Sequence, residues 1–170
     1  MAHHDETDTT YAERAARRQA LAPGAQAGID EALIERVVRG FYGRIRADAK
    51  LGPIFAAEIG SDWEPHLKKM MDFWSSVLLM TGRYAGRPMP AHIRLDGSAG
   101  NGKGLDAGDF QHWLTLFEAT LRELCPGEPE ALFLDRARRI AESFKLGIQF
   151  HRGQTPDWLG PVRSEPARSV

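Results

Sequence analysis

Leu33-Ile34-Glu35-Arg36-Val37-Val38-Arg39-Gly40-Phe41-Tyr42-Gly43-Arg44-Ile45 decides the fold class. Leu33, Ile34, Val37, Val38, Phe41, Tyr42 and Ile45 recur at the i, i+3, i+4, i+7 spacing that gathers one face of a helix into a core. Downstream, Gly52-Pro53 breaks the pattern, and Leu51 to Phe55 read as a short connector with two apolar anchors. A second helix is predicted to open at Ser61 or Asp62, either of which can cap it, with Glu64 in the first turn and Pro65 tolerated there. It runs to about Met80 and buries Trp63, Leu67, Met70, Trp74, Val77 and Leu78, with His66 at the edge of that stripe. After a turn over 81–88, a short helical piece from Met89 to Arg94 carries His92. A loop from about Leu95 to Asp109 holds five glycines. Phe110, Trp113, Leu114, Phe117, Leu121 and Leu124 mark the next helix, which Pro126-Gly127 ends. The last helix starts near Pro129, with Phe133, Ala137, Ile140, Ala141, Phe144 and Ile148 facing inward. Nothing alternates with period two over a strand's length, so the fold class is all-α.

These elements occupy residues 29–151, read as one domain. Residues 1–28 are polar, with a possible helical stretch at 11–21, and read as a mobile N-terminal extension; residues 152–170 hold three prolines and read as a mobile C-terminal tail. A chain of 170 residues is long enough to bury a substantial core. Its 22 basic and 23 acidic residues leave a net charge of -1, which removes the electrostatic argument for nucleic acid or an anionic membrane surface. No apolar run approaches the roughly 20 residues of a membrane span. The start lacks the basic and apolar regions of a signal peptide, so a cytoplasmic location is expected by default. Cys125, the single cysteine, reads as a packing or surface residue.

Few residues offer chemistry. Gly97-Ser98-Ala99-Gly100-Asn101-Gly102-Lys103 matches the start of a phosphate-binding loop, but residue 104 is Gly rather than Ser or Thr, and no strand precedes it. A flexible, solvated loop is the expectation. Of six histidines, His3 and His4 lie in the extension, His151 at the tail junction, and His112 off the inner stripe of its helix. His66 and His92 remain, and two antiparallel elements could present them across a cleft. Taken singly, each is more often a hydrogen-bonded histidine than a metal ligand. Tyr42 and Trp113 face the interior, where an unsatisfied O–H or N–H costs about 1 to 3 kcal/mol, so a bound polar ligand is one possible partner for them. A zinc site would need more recognisable ligands than two histidines, and neither paired catalytic carboxylates nor a Ser-His-Asp set can be located.

The ordered string Phe41-Tyr42, Leu51-Gly52-Pro53-Ile54-Phe55, Trp63 with His66, Phe73-Trp74, Gly82-Arg83-Tyr84, Pro88-Met89-x-x-His92 and Trp113-Leu114-x-Leu116-Phe117 resembles the group III truncated haemoglobins over about residues 29–151. The resemblance implies two helix pairs packed two-over-two around a haem. It matches His92 to the proximal iron ligand, Tyr42 and Trp113 to the distal polar residues, and His66 to the distal histidine at the pocket edge. Phe55 matches the phenylalanine packed on the porphyrin, and Met70 the apolar position one turn beyond His66. With no C-x-x-C-H, such a haem would be noncovalent haem b. Arg83, Arg87 and Arg94 are near enough in sequence to be candidates for the propionates. The glycine-rich loop and the extended termini depart from the family's pattern. Two functions follow from the resemblance: capture or sensing of dioxygen, nitric oxide or carbon monoxide, and alternatively nitric oxide dioxygenation or peroxide chemistry. Either enzymatic role would call on a separate reductase, because no flavin motif is present. A haem-free interaction domain is the third reading, and the joint presence of these residues argues against it.

Overall fold

The computed structural model describes residues 5–98 and 104–154. These form α1 (Asp5–Ala20), α2 (Pro23–Gln26), α3 (Glu31–Ala47), α4 (Leu51–Ile59), α5 (Glu64–Leu79), α6 (Pro88–Ser98), α7 (Ala107–Leu124) and α8 (Glu128–His151). No strand occurs among the described residues. Asp30 caps α3 by accepting the Leu33 N–H at 2.7 Å, satisfying one of the free amides of the first turn. The seven apolar residues whose spacing predicted this helix are all buried. Asp48 then turns extended and ends it, while its carboxylate accepts the N–H groups of Lys50 at 3.0 Å and Leu51 at 2.8 Å.

α3 packs on α5, and α7 on α8, with α3 crossing α7; α4 and α6 close the side between α3 and α8. This is the two-over-two arrangement. At its centre Phe117 lies in offset stacks with Trp74 (5.3 Å) and Trp113 (5.4 Å) and edge-on to Phe41 (5.0 Å). Burying each such side chain is worth about 1.5–3 kcal/mol.

Five details differ from the sequence reading; in one, the stretch from Leu95 to Asp109, read as a loop, begins with the last turn of α6 and ends with the first residues of α7. Leu51 to Phe55 are the first half of helix α4, not a connector. Pro53 stands in the first turn, where its missing N–H has no partner to lose, so Gly52-Pro53 starts a helix rather than breaking one. Ser61 and Asp62 do not cap α5; Trp63 occupies the N-cap, and Asp62 only accepts the Glu64 N–H at 3.2 Å. Residues 21–28, grouped with the N-terminal extension, include fully buried Ala22 and the short helix α2, which packs on α5. Gly24 permits that packing, since a Cβ there would stand 2.5 Å from the Leu78 carbonyl oxygen. Arg152, grouped with the tail, caps α8 and joins an ion pair with Asp96. The 99–103 part of the glycine-rich loop, and residues 1–4 and 155–170 of the expected extension and tail, lie outside the described residues.

Candidate functional site

The helices enclose a cavity of about 560 Å³. α3 contributes Phe41 and Tyr42, α4 Phe55, α5 His66, Met70, Phe73 and Trp74, α6 His92, α7 Trp113 and Phe117, and α8 Ile140 and Phe144. Tyr42, Phe55, His66, Met70, His92 and Trp113, named from the sequence as haem or gas contacts, therefore line one space. The interior is mostly aromatic and aliphatic, and Lys69, Arg87 and Arg94 stand among the lining residues. Arg94 pairs with Glu58 at 2.7 Å. Arg83, the third arginine named from the sequence, is not on the cavity: it pairs with Glu31 and donates to Ser75 Oγ at 2.7 Å.

His92 is held in a defined tautomer. Its Nδ1 lies 2.8 Å from the Pro88 carbonyl oxygen. A carbonyl can only accept, so Nδ1 carries the proton and Nε2 keeps its lone pair. The imidazole stacks on Phe144 with centroids 3.7 Å apart and planes 22° from parallel. Burial pushes its pKa down, which favours the neutral, ligating form.

His66 sets its ring edge-on to Tyr42, centroids 4.8 Å apart. Burial, then the nearby Lys69 and His92 charges, lowers its pKa to about 4. Its Nε2 is buried with no hydrogen-bond partner. The Tyr42 phenol is pushed well above its ordinary value, first by burial and then by the Tyr84 charge, so it stays protonated and can donate. Neither Tyr42 Oη nor Trp113 Nε1 has a hydrogen-bond partner among the described residues. A buried polar atom without a partner, as His66 Nε2 is, is uncommon in native proteins and points to a missing one.

Some contributors were not read as site residues. Phe144 was assigned to the inner face of its helix, and periodicity carries no information about which ring stacks on which. The Pro88 carbonyl could have been found, because a residue four before a histidine on a helix lies within reach of its side chain. His112, set aside as lying off the inner stripe of its helix, has a structural role through Asp48, whose Oδ2 lies 2.7 Å from Nε2. Among the described residues no three His, Cys, Asp or Glu side chains converge as a metal cage, and no helix is long and apolar enough to cross a membrane.

Paired helices closed around an apolar cavity that two histidines face are globin-like. No family model matches the chain. The chain is 33% identical over 120 residues to a group 3 truncated haemoglobin of Campylobacter jejuni, covering 69% of this chain and 89% of that protein. It also matches the crystal structure of a group III truncated haemoglobin from Campylobacter jejuni with a TM-score of 0.61 and 32% identity, again over 69% of this chain and 89% of that one. The chain belongs to the group III truncated haemoglobins. The family implies a haem, and these residues fit one: an imidazole lone pair at His92, a buried unpartnered nitrogen at His66, the polar side chains of Tyr42 and Trp113 on the cavity, apolar walls, and cations at Lys69, Arg87 and Arg94.

Proposed function

We propose that the chain holds one haem b through His92 Nε2 and captures a diatomic gas on the opposite side of the pocket. The observation that carries this reading is the Nδ1–H bond from His92 to the Pro88 carbonyl, which leaves Nε2 as the electron-pair donor and makes the imidazole more basic towards a metal. His92 Nε2 would hold the iron of a bound haem, which would supply a binding site for a gas such as dioxygen, nitric oxide or carbon monoxide. Phe144 fixes the plane of the His92 ring by stacking. Phe55, Met70 and Phe73 exclude water, so a hydrogen bond made inside is worth more than in solvent.

Tyr42 and Trp113 are the donors in this reading. A gas that draws negative charge when it binds gains most from them, because a charge-assisted hydrogen bond is roughly twice as strong as a neutral one. His66 guards the pocket edge beside Tyr42 and stays neutral near pH 7, with its pKa near 4. Arg87 and Arg94 are the cations we assign to the haem propionates. Noncovalent retention is what haem b requires, and the only cysteine, Cys125, lies off the cavity. A separate reductase would be the electron source for any sustained turnover.

The test is the visible spectrum of the haem-reconstituted wild type and His92→Ala, in ferric, ferrous and carbon-monoxide-bound forms. A stoichiometric histidine-ligated spectrum, lost in the variant and regained with added imidazole, is the expected result. A wild type without haem, or a variant with an unchanged spectrum, would overturn the proposal.

A further inference from the structure

The helix that carries His92 is fastened at both ends to α8. Asp96 lies one helical turn beyond His92 on α6 and is only 9% exposed. Its Oδ1 accepts the Leu105 N–H at 2.7 Å, and its Oδ2 accepts Arg152 Nε at 3.0 Å. Arg152 Nη2 also pairs with Asp96 Oδ1 and donates to the Leu105 carbonyl at 2.9 Å. One guanidinium thus joins α6, the segment arriving at Leu105 and the C-cap of α8. A two-pronged guanidinium–carboxylate pair fixes direction as well as distance. Gly104 makes room for it: its φ is +75°, and a Cβ there would collide with both Arg152 Nη2 and Asp96 Oδ1.

The other end of α6 is held by shape. The Met89 side chain lies against Gly147 of α8, where a Cβ would leave it no space. Between the two fixings lies His92, its ring flat on Phe144 of α8. Rotation of α6 about its axis, or sliding along α8, would break the stack and swing Nε2. Neither Asp96 nor Arg152 lines the cavity, so whatever they contribute to a bound group passes through the helix. We propose that Asp96 and Arg152 are positioning residues for His92: the pair sets the pitch of α6 against α8, and so the direction in which Nε2 presents its lone pair to a haem iron. The proposal rests on reading His92 as the iron ligand.

The experiment uses the full chain reconstituted with haem, comparing wild type with Arg152→Ala, Asp96→Asn and Gly104→Ala. Arg44→Ala is the control, because it removes another interhelical ion pair, to Glu123, away from the cavity. The ferrous iron–histidine stretching band is recorded by resonance Raman, together with the rate of haem transfer to an excess of apoglobin acceptor and the apo-protein Tm. Losing a group that orients a metal's ligand commonly costs 10–100-fold in affinity for the metal. The clamp variants are therefore expected to shift or broaden the band and to lose haem about 10-fold faster. Arg44→Ala should move neither, even where its Tm falls as far. An unchanged band and haem-loss rate in the folded Asp96→Asn and Gly104→Ala proteins would overturn the proposal, as would equal changes in Arg44→Ala. Absence of any iron–histidine band from the wild type would instead bring down the ligand assignment beneath it.

Discussion

Tyr42→Phe separates a ligand-binding hydroxyl from a structural one. The substitution removes one oxygen and leaves the ring, with its edge-on contacts to Phe41 at 5.2 Å, Phe55 at 6.2 Å and His66 at 4.8 Å. Because the hydroxyl has no hydrogen-bond partner among the described residues, its loss breaks no internal bond that the structure shows. The apo-protein is expected to change in stability by less than about 1 kcal/mol. The bound state differs. A hydrogen bond to a charged partner is worth about 1.5–3 kcal/mol, and at about 1.4 kcal/mol per factor of ten the oxygen off-rate should rise about 10- to 150-fold. Stopped-flow displacement of dioxygen by carbon monoxide measures the rate, and urea denaturation of the apo-protein the stability. An off-rate within twofold of wild type, accompanied by a fall of more than about 1 kcal/mol in apo stability, would refute the reasoning by making the hydroxyl structural.

Two further outcomes follow from burial and packing. The His66 pKa is about 4 in the folded protein against an ordinary 6.5, so between these values the unfolded chain binds a proton that the native chain does not. Its contribution to stability is present above pH 6.5 and is lost as pH falls towards 4. The difference in apo-protein urea midpoint between pH 7 and pH 5 should therefore narrow in His66→Leu, and an unaltered difference would count against the burial. Gly24→Ala drives a Cβ to 2.5 Å from the Leu78 carbonyl oxygen; overpacking of this kind costs about 1–3 kcal/mol. If the urea midpoint of that variant matches the wild type, α2 is not seated on α5 in solution.

Elements were legible in the sequence wherever periodicity was uninterrupted. The face from Leu33 to Ile45 is buried residue for residue, because a helix that alternates apolar and charged residues at this period has one orientation that hides its apolar side. α4 was not legible in the same way. Gly and Pro are read as breakers, yet in a first turn neither costs a helical hydrogen bond, and Asp48 supplies the cap from outside the apolar segment. The capping box at the start of α7, in which Asp106 and Asp109 each accept the other's N–H at 2.9 Å, lay in a stretch read as loop. It pairs two acidic residues, where the usual sequence signature ends in Glu or Gln. In the site, ordered motifs named His92, His66, Tyr42, Trp113, Phe55 and Met70, and all six line the cavity. Arg83 was named by nearness in sequence alone, and it turned to Glu31 and Ser75 instead.

By itself the sequence determined the helical class, the buried faces and the residue types available for chemistry. Those follow from local rules: side-chain spacing selects the face, and polar atoms on an inner face must find a partner. Only the tertiary structure decided which groups meet. The stacking of His92 on Phe144 joins residues 92 and 144, and the Asp96–Arg152 joint spans 56 positions. Contacts at such separations depend on how α6 and α8 cross, and that crossing is set by packing across the whole core rather than by either helix alone.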